Sequence, residues 1–183
     1  MSRVGIYGGT FDPIHLGHLR VITSLFEKDL IDQLLVVPAG QPLLRKNAPI
    51  ATGAQRRKMC ELAISTLPTE FQNKIEVNPI EILREGPSYA IDTVHAVCAT
   101  YPEDSIFLVV GSDAFANLSQ WHRAEELLDL VSIICIDRPG YPSQGIDIQA
   151  LDIEATTIRE GRSADVTENV ATFIRENALY DNQ

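Results

Sequence analysis

The stretch GGTFDPIHLGHL, residues 8–19, follows a short apolar run and decides how the rest of the chain is read. Two glycines, a threonine and two histidines stand where a strand would hand over to a helix. Gly8 and Gly9 are expected to let the backbone turn sharply and approach an anion closely. A helix beginning near Leu16 would point its unpaired N–H groups and positive dipole end at the same place. Thr10 adds a hydroxyl donor. His15 and His18 are three apart, so they project from one helical face. Both imidazoles can donate to phosphate oxygens and stabilise charge that develops in phosphoryl or nucleotidyl transfer. The spelling is neither the G-x-G-x-x-G of dinucleotide sites nor the G-K-[ST] ending of a P-loop. A glycine pair after a strand can be a turn and nothing more. A strand, Gly-Gly-Thr and then H-x-G-H at a helix start point instead to a phosphate cradle.

Five short apolar runs rich in β-branched residues predict strands at Arg3–Tyr7, Gln33–Val37, Lys74–Asn78, Ser105–Val110 and Val131–Ile136. Helical spacing lies between them, at Leu19, Ile22 and Phe26, at Met59, Leu62 and Ala63, and at Ala90, Val94 and Val97. Leu127, Leu128 and Leu130 predict a helix before the fifth strand, and Val166, Val170, Phe173 and Ile174 one more at the end. Strands alternating with helices imply an α/β fold, a Rossmann-like doubly wound parallel sheet with helices on both faces. Continuously apolar strands suit that double burial. Pro and Gly mark loops at 38–49, 84–87 and 138–145. No repeat or linker divides the chain, so residues 1–183 are expected to form one domain.

The 15 Lys+Arg against 25 Asp+Glu give a net charge of -10. That balance argues against nucleic-acid and membrane-surface partners, which are themselves anionic, but not against a small anion held by local donors. The start has no secretory apolar region, and the longest apolar runs are too short to span a bilayer. Cys60, Cys98 and Cys135 have neither metal nor redox spacing, and reduced thiols in a cytoplasmic protein are the expectation.

GGTFDPIHLGHL resembles the signature of the H-x-G-H nucleotidyltransferase superfamily, and within it the bacterial nicotinate-nucleotide adenylyltransferase family. PSYAIDTV (87–94), GSDAFANLSQWHRAEELL (111–128) and RPGY (138–141) carry the resemblance further. From the residues alone Trp121 reads equally as a half-buried aromatic or as a flat face for a ring. The resemblance implies the second, stacking on nicotinate. Asp113 reads as a helix cap or as an acceptor for ribose hydroxyls, and the resemblance implies that Gly111 and Asp113 meet the nucleotide. It implies ATP contacts from Gly8, Gly9, Phe11, Thr156 and Ile158, and catalytic roles for Thr10, His15, His18 and Arg159. It places Tyr89, Ala90 and Thr93 at the pyridine carboxylate, and Arg45 or Lys46, with Arg56, near phosphates. No protein metal cage is implied; Mg2+ would come with ATP.

The chain departs from the family pattern at four places. Ala90 stands where threonine is common, and Leu43 and Leu44 where proline and histidine are usual. Glu154 replaces a small hydroxyl residue, and the segment after Arg159 is short. The expected reaction is adenylyl transfer from ATP to nicotinate mononucleotide, giving deamido-NAD and pyrophosphate. Two rivals stay open: another acceptor (nicotinamide mononucleotide or phosphopantetheine), and a nucleotide-binding protein that has lost catalysis. A homo-oligomer is compatible with the sequence.

Overall fold

The computed structural model describes residues 1–41 and 48–181. Five parallel strands form one sheet: β1 (Arg3–Gly9), β2 (Gln33–Pro38), β3 (Ile75–Val77), β4 (Ser105–Gly111) and β5 (Ser132–Ile136). Their order is β3-β2-β1-β4-β5. Each predicted strand is present, with β1 and β4 running on into the glycines that end them.

The apolar runs are continuous because both faces are covered. In β2, Leu34 and Val36 face one core cluster while Leu35 and Val37 face the other. In β4, Val109 joins the first cluster and Ile106, Leu108 and Val110 the second. Side chains alternate across the pleat, so each strand needs apolar residues in both phases. On the first face lie α1 (Leu16–Glu27), α2 (Gly53–Ile64) and α9 (Glu168–Glu176), which contribute Ile22, Met59 and Val170, each 0% exposed. On the second lie α5 (Ala90–Thr100) and α7 (Ala124–Leu130), which contribute Val94 and Leu127. Helix α2 starts where Thr52 accepts from the Gln55 N–H and the Gln55 side chain accepts from the Thr52 N–H, a reciprocal cap.

Of the three leucines that predict α7, only Leu127 is buried, while Leu128 and Leu130 are exposed. At about 100° per residue one helical turn cannot bring positions 127, 128 and 130 to one face. Short turns α3 (Thr69–Gln72), α4 (Ile80–Leu83), α6 (Ser112–Phe115) and α8 (Ala155–Arg159) complete the α-helices among the described residues, beside a 3₁₀ turn at Leu118–Gln120. None of these helices is long and apolar enough to cross a membrane.

The chain winds outward from β1 to β2 and β3, then returns to β4 on β1's other side. That reversal leaves a crevice beyond the carboxyl ends of β1 and β4, where ligands bind in open α/β sheets.

Candidate active site

A cleft of about 870 Å³ occupies this crevice. It lies in the upper part of the ~300–1,000 Å³ range of small-molecule sites. One end is built around the loop that follows β1. Gly8 and Gly9 are both extended strand residues; the chain turns afterwards, at Phe11 (φ 50), ahead of a cis Asp12–Pro13 bond. The glycines therefore serve as approach and clearance, not as the turn. A Cβ on Gly8 would meet open space at the cleft, whereas one on Gly9 would sit 2.8 Å from the Phe11 ring. Phe11 is 2% exposed, so its ring belongs to the core, edge-on to His18 at 5.0 Å and to Tyr7 at 5.6 Å.

His15 caps α1 and His18 follows within its first turn. Their rings stack with centroids 3.7 Å apart at 28°. The backbone N–H of His15 donates to His18 Nδ1 at 3.2 Å. An accepting Nδ1 fixes the neutral tautomer, leaving the proton on Nε2 as a donor. His15 Nδ1 is buried with no hydrogen-bond partner. Burial, reinforced by the positive charge of Arg138, pushes His15 down to about 4. Burial, then His15 and Arg138, holds His18 well below its ordinary 6.5. At neutral pH the cleft thus presents two uncharged imidazoles.

Two neutral rings held in this way make stability depend on pH. Unfolding raises both histidines to their ordinary range, so between about pH 4 and 6.5 the unfolded chain binds more protons than the folded one. The contribution is complete above about pH 6.5 and is lost as pH falls towards 4. The melting temperature is expected to climb across that window, and His15→Asn to flatten the climb. A melting temperature independent of pH from 4.5 to 6.5 would contradict the burial of neutral rings.

Opposite the histidines, β4 ends in Gly111, and a Cβ there would strike the Asp113 carboxylate. Asp113 is paired with Arg138, Nη1 to Oδ2 3.1 Å, and the Arg138 N–H donates to the buried Ser112 hydroxyl at 3.0 Å. Arg138 lies just past the end of β5, after Asp137, and lines the cleft. It was not among the expected site residues, although a cation just past the carboxyl end of a strand in an acidic chain was a legible signal.

The far end is aromatic. Tyr89, Ala90, Trp121 and His122 line it, with Tyr89 and His122 ring centroids 4.3 Å apart. Trp121 is half-buried, and its buried Nε1–H has no hydrogen-bond partner. Thr93 lines the same recess but is 2% exposed, and its hydroxyl donates to Glu81 Oε1 at 2.8 Å. The Ser88 hydroxyl accepts the Gly40 and Gln41 N–H groups, 3.0 Å each, so the strand-like entry to α5 is tied to the loop after β2. Burial raises the Glu81 carboxyl, opposed by hydrogen bonds from Thr93 and Ser88.

With one end rich in phosphate donors and the other in flat rings, the cleft has the form of a two-nucleotide site. The cytidylyltransferase-like family model matches residues 6–169. The nicotinate-nucleotide adenylyltransferase of Bacillus subtilis is 33% identical over 99% of this chain and 100% of its own. A probable nicotinate-nucleotide adenylyltransferase of Geobacillus thermodenitrificans is 33% identical over 98% of this chain and 87% of its own. The chain belongs to this family. Its fold is shared with nicotinic acid mononucleotide adenylyltransferase of Plasmodium falciparum complexed with NaAD, at TM-score 0.86, 19% identity, and coverage of 100% of this chain and 99% of that one.

The remaining residues that the family resemblance singles out divide into two groups. Thr156 lines the cleft rim beside Glu154 and Ala155, at the start of α8. Ile158 and Arg159 do not. Ile158 is 8% exposed and packed inward. Arg159 donates from Nη1 to the Asp12 carbonyl at 2.6 Å and from Nη2 to the Thr156 hydroxyl at 3.0 Å. Its cation braces the loop after β1 from outside the cleft. Arg56, expected near phosphates, lies behind the loop that carries Thr10. It is 2% exposed, and it donates to the Thr10 carbonyl at 2.7 Å and the Ala51 carbonyl at 3.2 Å. A buried guanidinium spanning carbonyls clamps backbone segments together. Arg45 and Lys46 lie outside the described residues.

Proposed function

We propose that the cleft transfers the adenylyl group of ATP to nicotinate mononucleotide, releasing pyrophosphate and forming deamido-NAD. One observation carries this reading. The stacked His15–His18 pair, at the positive end of α1, shares a continuous cleft with the aromatic recess at Trp121. The first suits a polyphosphate and the second a planar ring. The names carried by the curated relatives agree with it.

The mononucleotide phosphate attacks the α-phosphorus of ATP in line. A new P–O bond forms as the bond to the bridging oxygen of the β-phosphate breaks, and pyrophosphate leaves with that electron pair. The nucleophile is already anionic, so no general base is required. Catalysis is then placement plus stabilisation of charge on the transferred phosphoryl oxygens. Thr10, His15 and His18 donate there, Arg138 adds positive charge, and Arg159 acts by holding the loop. Gly8, Gly9 and Thr156 give the triphosphate room and donors. Gly111 and Asp113 meet the adenosine ribose, and Tyr89 and Ala90 approach the ring substituent through their backbone. Anionic phosphates will also raise the His15 imidazole towards its charged form, while His18 stays a neutral Nε2 donor as long as its Nδ1 accepts the His15 N–H. Among the described residues no group of three His, Cys, Asp or Glu side chains is placed to cage a metal. In this reading Mg2+ enters as part of the ATP substrate, held by phosphate and water. Three unpaired cysteines fit a reducing, cytoplasmic setting.

Incubation with α-labelled ATP, Mg2+ and nicotinate mononucleotide tests the reading. Labelled deamido-NAD with one equivalent of pyrophosphate is expected. Label recovered only as ATP, or as ADP with inorganic phosphate, would overturn it.

Glu154 bears on the ATP end. It is exposed on the rim, where its charge repels a triphosphate through solvent screening. An exposed charge of this kind is worth about 0.2–1 kcal/mol. Glu154→Ser is therefore expected to lower the ATP KM by up to about fivefold. A large rise in that KM, measured under saturating mononucleotide, would mean the carboxylate helps bind ATP.

The choice between acid and amide turns on Glu81, whose burial favours the protonated form. Glu81 is a carboxyl group 9% exposed that lines the ring recess. Ionised, it would repel an acid ring substituent and favour the amide; protonated, it would donate to the acid.

A further inference from the structure

The turn that carries the reacting half of the cleft is tied down by residues far along the chain. The Asp12 carboxylate, 2% exposed, accepts from the Ile50 N–H at 2.9 Å and the Ala51 N–H at 3.1 Å. It also accepts from the Tyr180 hydroxyl at 2.8 Å, 168 residues away. Two neighbouring contacts come from the same C-terminal region. Arg159 reaches the Asp12 carbonyl, and the Leu16 N–H, the first of α1, donates to the Asp165 carbonyl at 2.9 Å. The turn between β1 and α1 is thus gripped by Arg159, Asp165 and Tyr180.

Tyr180 sits in the tail after α9, and it is held in an unusual conformation. Ala178 and Tyr180 both have positive φ, 46° and 71°, a region that side chains with a Cβ avoid. Between them Leu179 packs into the core cluster of α1 and α2. Backbone outliers persist only where the surroundings over-determine them, and they gather at functional sites. A tail that merely filled the core would need Leu179 and the Tyr180 ring, which packs against the same cluster. It would not need a hydroxyl delivered to a buried carboxylate in the turn beneath Thr10, His15 and His18. Tyr180 itself does not line the cleft, so it can act only through Asp12.

We propose that Tyr180 is a positioning residue for the transfer step, its hydroxyl fixing the Asp12 carboxylate and through it the turn that aims Thr10 and the His15–His18 pair. The proposal rests on the reading of the cleft as a site of nucleotidyl transfer. It makes the C-terminal tail a working part of the active site.

Two variants of the full chain separate positioning from simple support. Tyr180→Phe keeps the ring and removes the hydroxyl; Leu179→Ala keeps the hydroxyl and removes core packing. Tyr180→Phe is expected to lower kcat by about tenfold, the size of a lost hydrogen bond to a charged group, with both KM values within about twofold. Leu179→Ala is expected to lower the melting temperature more and kcat less. This crossed order supports the proposal. If kcat follows melting temperature across the two variants, or if Tyr180→Phe leaves kcat within about twofold of the parent, the proposal is overturned. Ring-proton NMR of His15 and His18 gives a readout that needs no turnover. Tyr180→Phe should shift both sets of signals, and unchanged signals would overturn the proposal. Absence of pyrophosphate release from the unaltered protein would overturn the transfer reading instead, and the ring spectra would still decide whether Tyr180 positions the imidazoles.

Discussion

Replacing His18 by alanine is expected to cut turnover by about 10²–10³-fold, the loss typical of removing one preorganised donor from a transition-state charge site. The structure explains why this residue should matter so much. Its Nδ1 is occupied by the His15 backbone N–H, so the ring cannot choose its tautomer and Nε2 must carry the proton. Its plane is set from both sides, by the His15 ring at 3.7 Å and the Phe11 edge at 5.0 Å. A donor held in this way needs no reorganisation when charge appears on the phosphoryl oxygens. The fold should survive the change, because His18 is half-buried at the cleft and not part of either core cluster. Each kcal/mol lost would move the melting temperature by about 2–4 °C. Single-turnover measurement with both substrates saturating isolates the chemical step. A rate within about tenfold of the parent would show that the His18 donor does not stabilise the transferring phosphoryl group.

Replacing Trp121 by alanine should act on the other end of the cleft. The mononucleotide KM is expected to rise by about 10- to 100-fold and the ATP KM to stay within about twofold, because a desolvated cation–π contact is worth about 2 kcal/mol or more. The indole lines the recess with Tyr89 and His122, away from the His15–His18 pair, and its N–H is buried without a partner. A pyridinium ring laid against it would gain both the quadrupole attraction and the buried apolar area. The comparison with ATP is what gives the test its force, since a general collapse of the cleft would weaken both substrates. Equal rises in the two KM values would refute the stacking role.

The sheet was legible because its signal is local. Runs such as LLVV and IFLVV must be apolar in both phases when helices cover both faces, and their shortness and β-branched content mark them as strands. The start of α1 at Leu16 was legible for the same reason, being a change of pattern within a few residues. Contacts between distant positions left no such trace. The turn falls on Phe11, and nothing in the spelling marks a bulky aromatic for positive φ when two glycines stand just before it. Arg56 is indistinguishable in sequence from its neighbours Arg57 and Lys58, yet it alone points inward to backbone carbonyls while they pair with Glu61 on the surface. Arg159 keeps its register with Thr156, but its partner, the Asp12 carbonyl, lies 147 residues away. The role of Arg138 depends on β5 ending beside β4, which the order of strands determines and local spacing does not. Motif residues could thus be named from the sequence, whereas the groups that hold them in place could not.

The acceptor matters to the proposed function as much as the reaction does. The most direct test is the initial rate of pyrophosphate release from ATP and Mg2+ with nicotinate mononucleotide, with its amide, and with phosphopantetheine, each at equal concentration. Release is expected with both pyridine mononucleotides at rates ordered acid above amide, and none with phosphopantetheine, which has no ring to lay against Trp121. Release with phosphopantetheine at a rate equal to or above that with the acid would contradict the assignment of the aromatic recess to a pyridine ring.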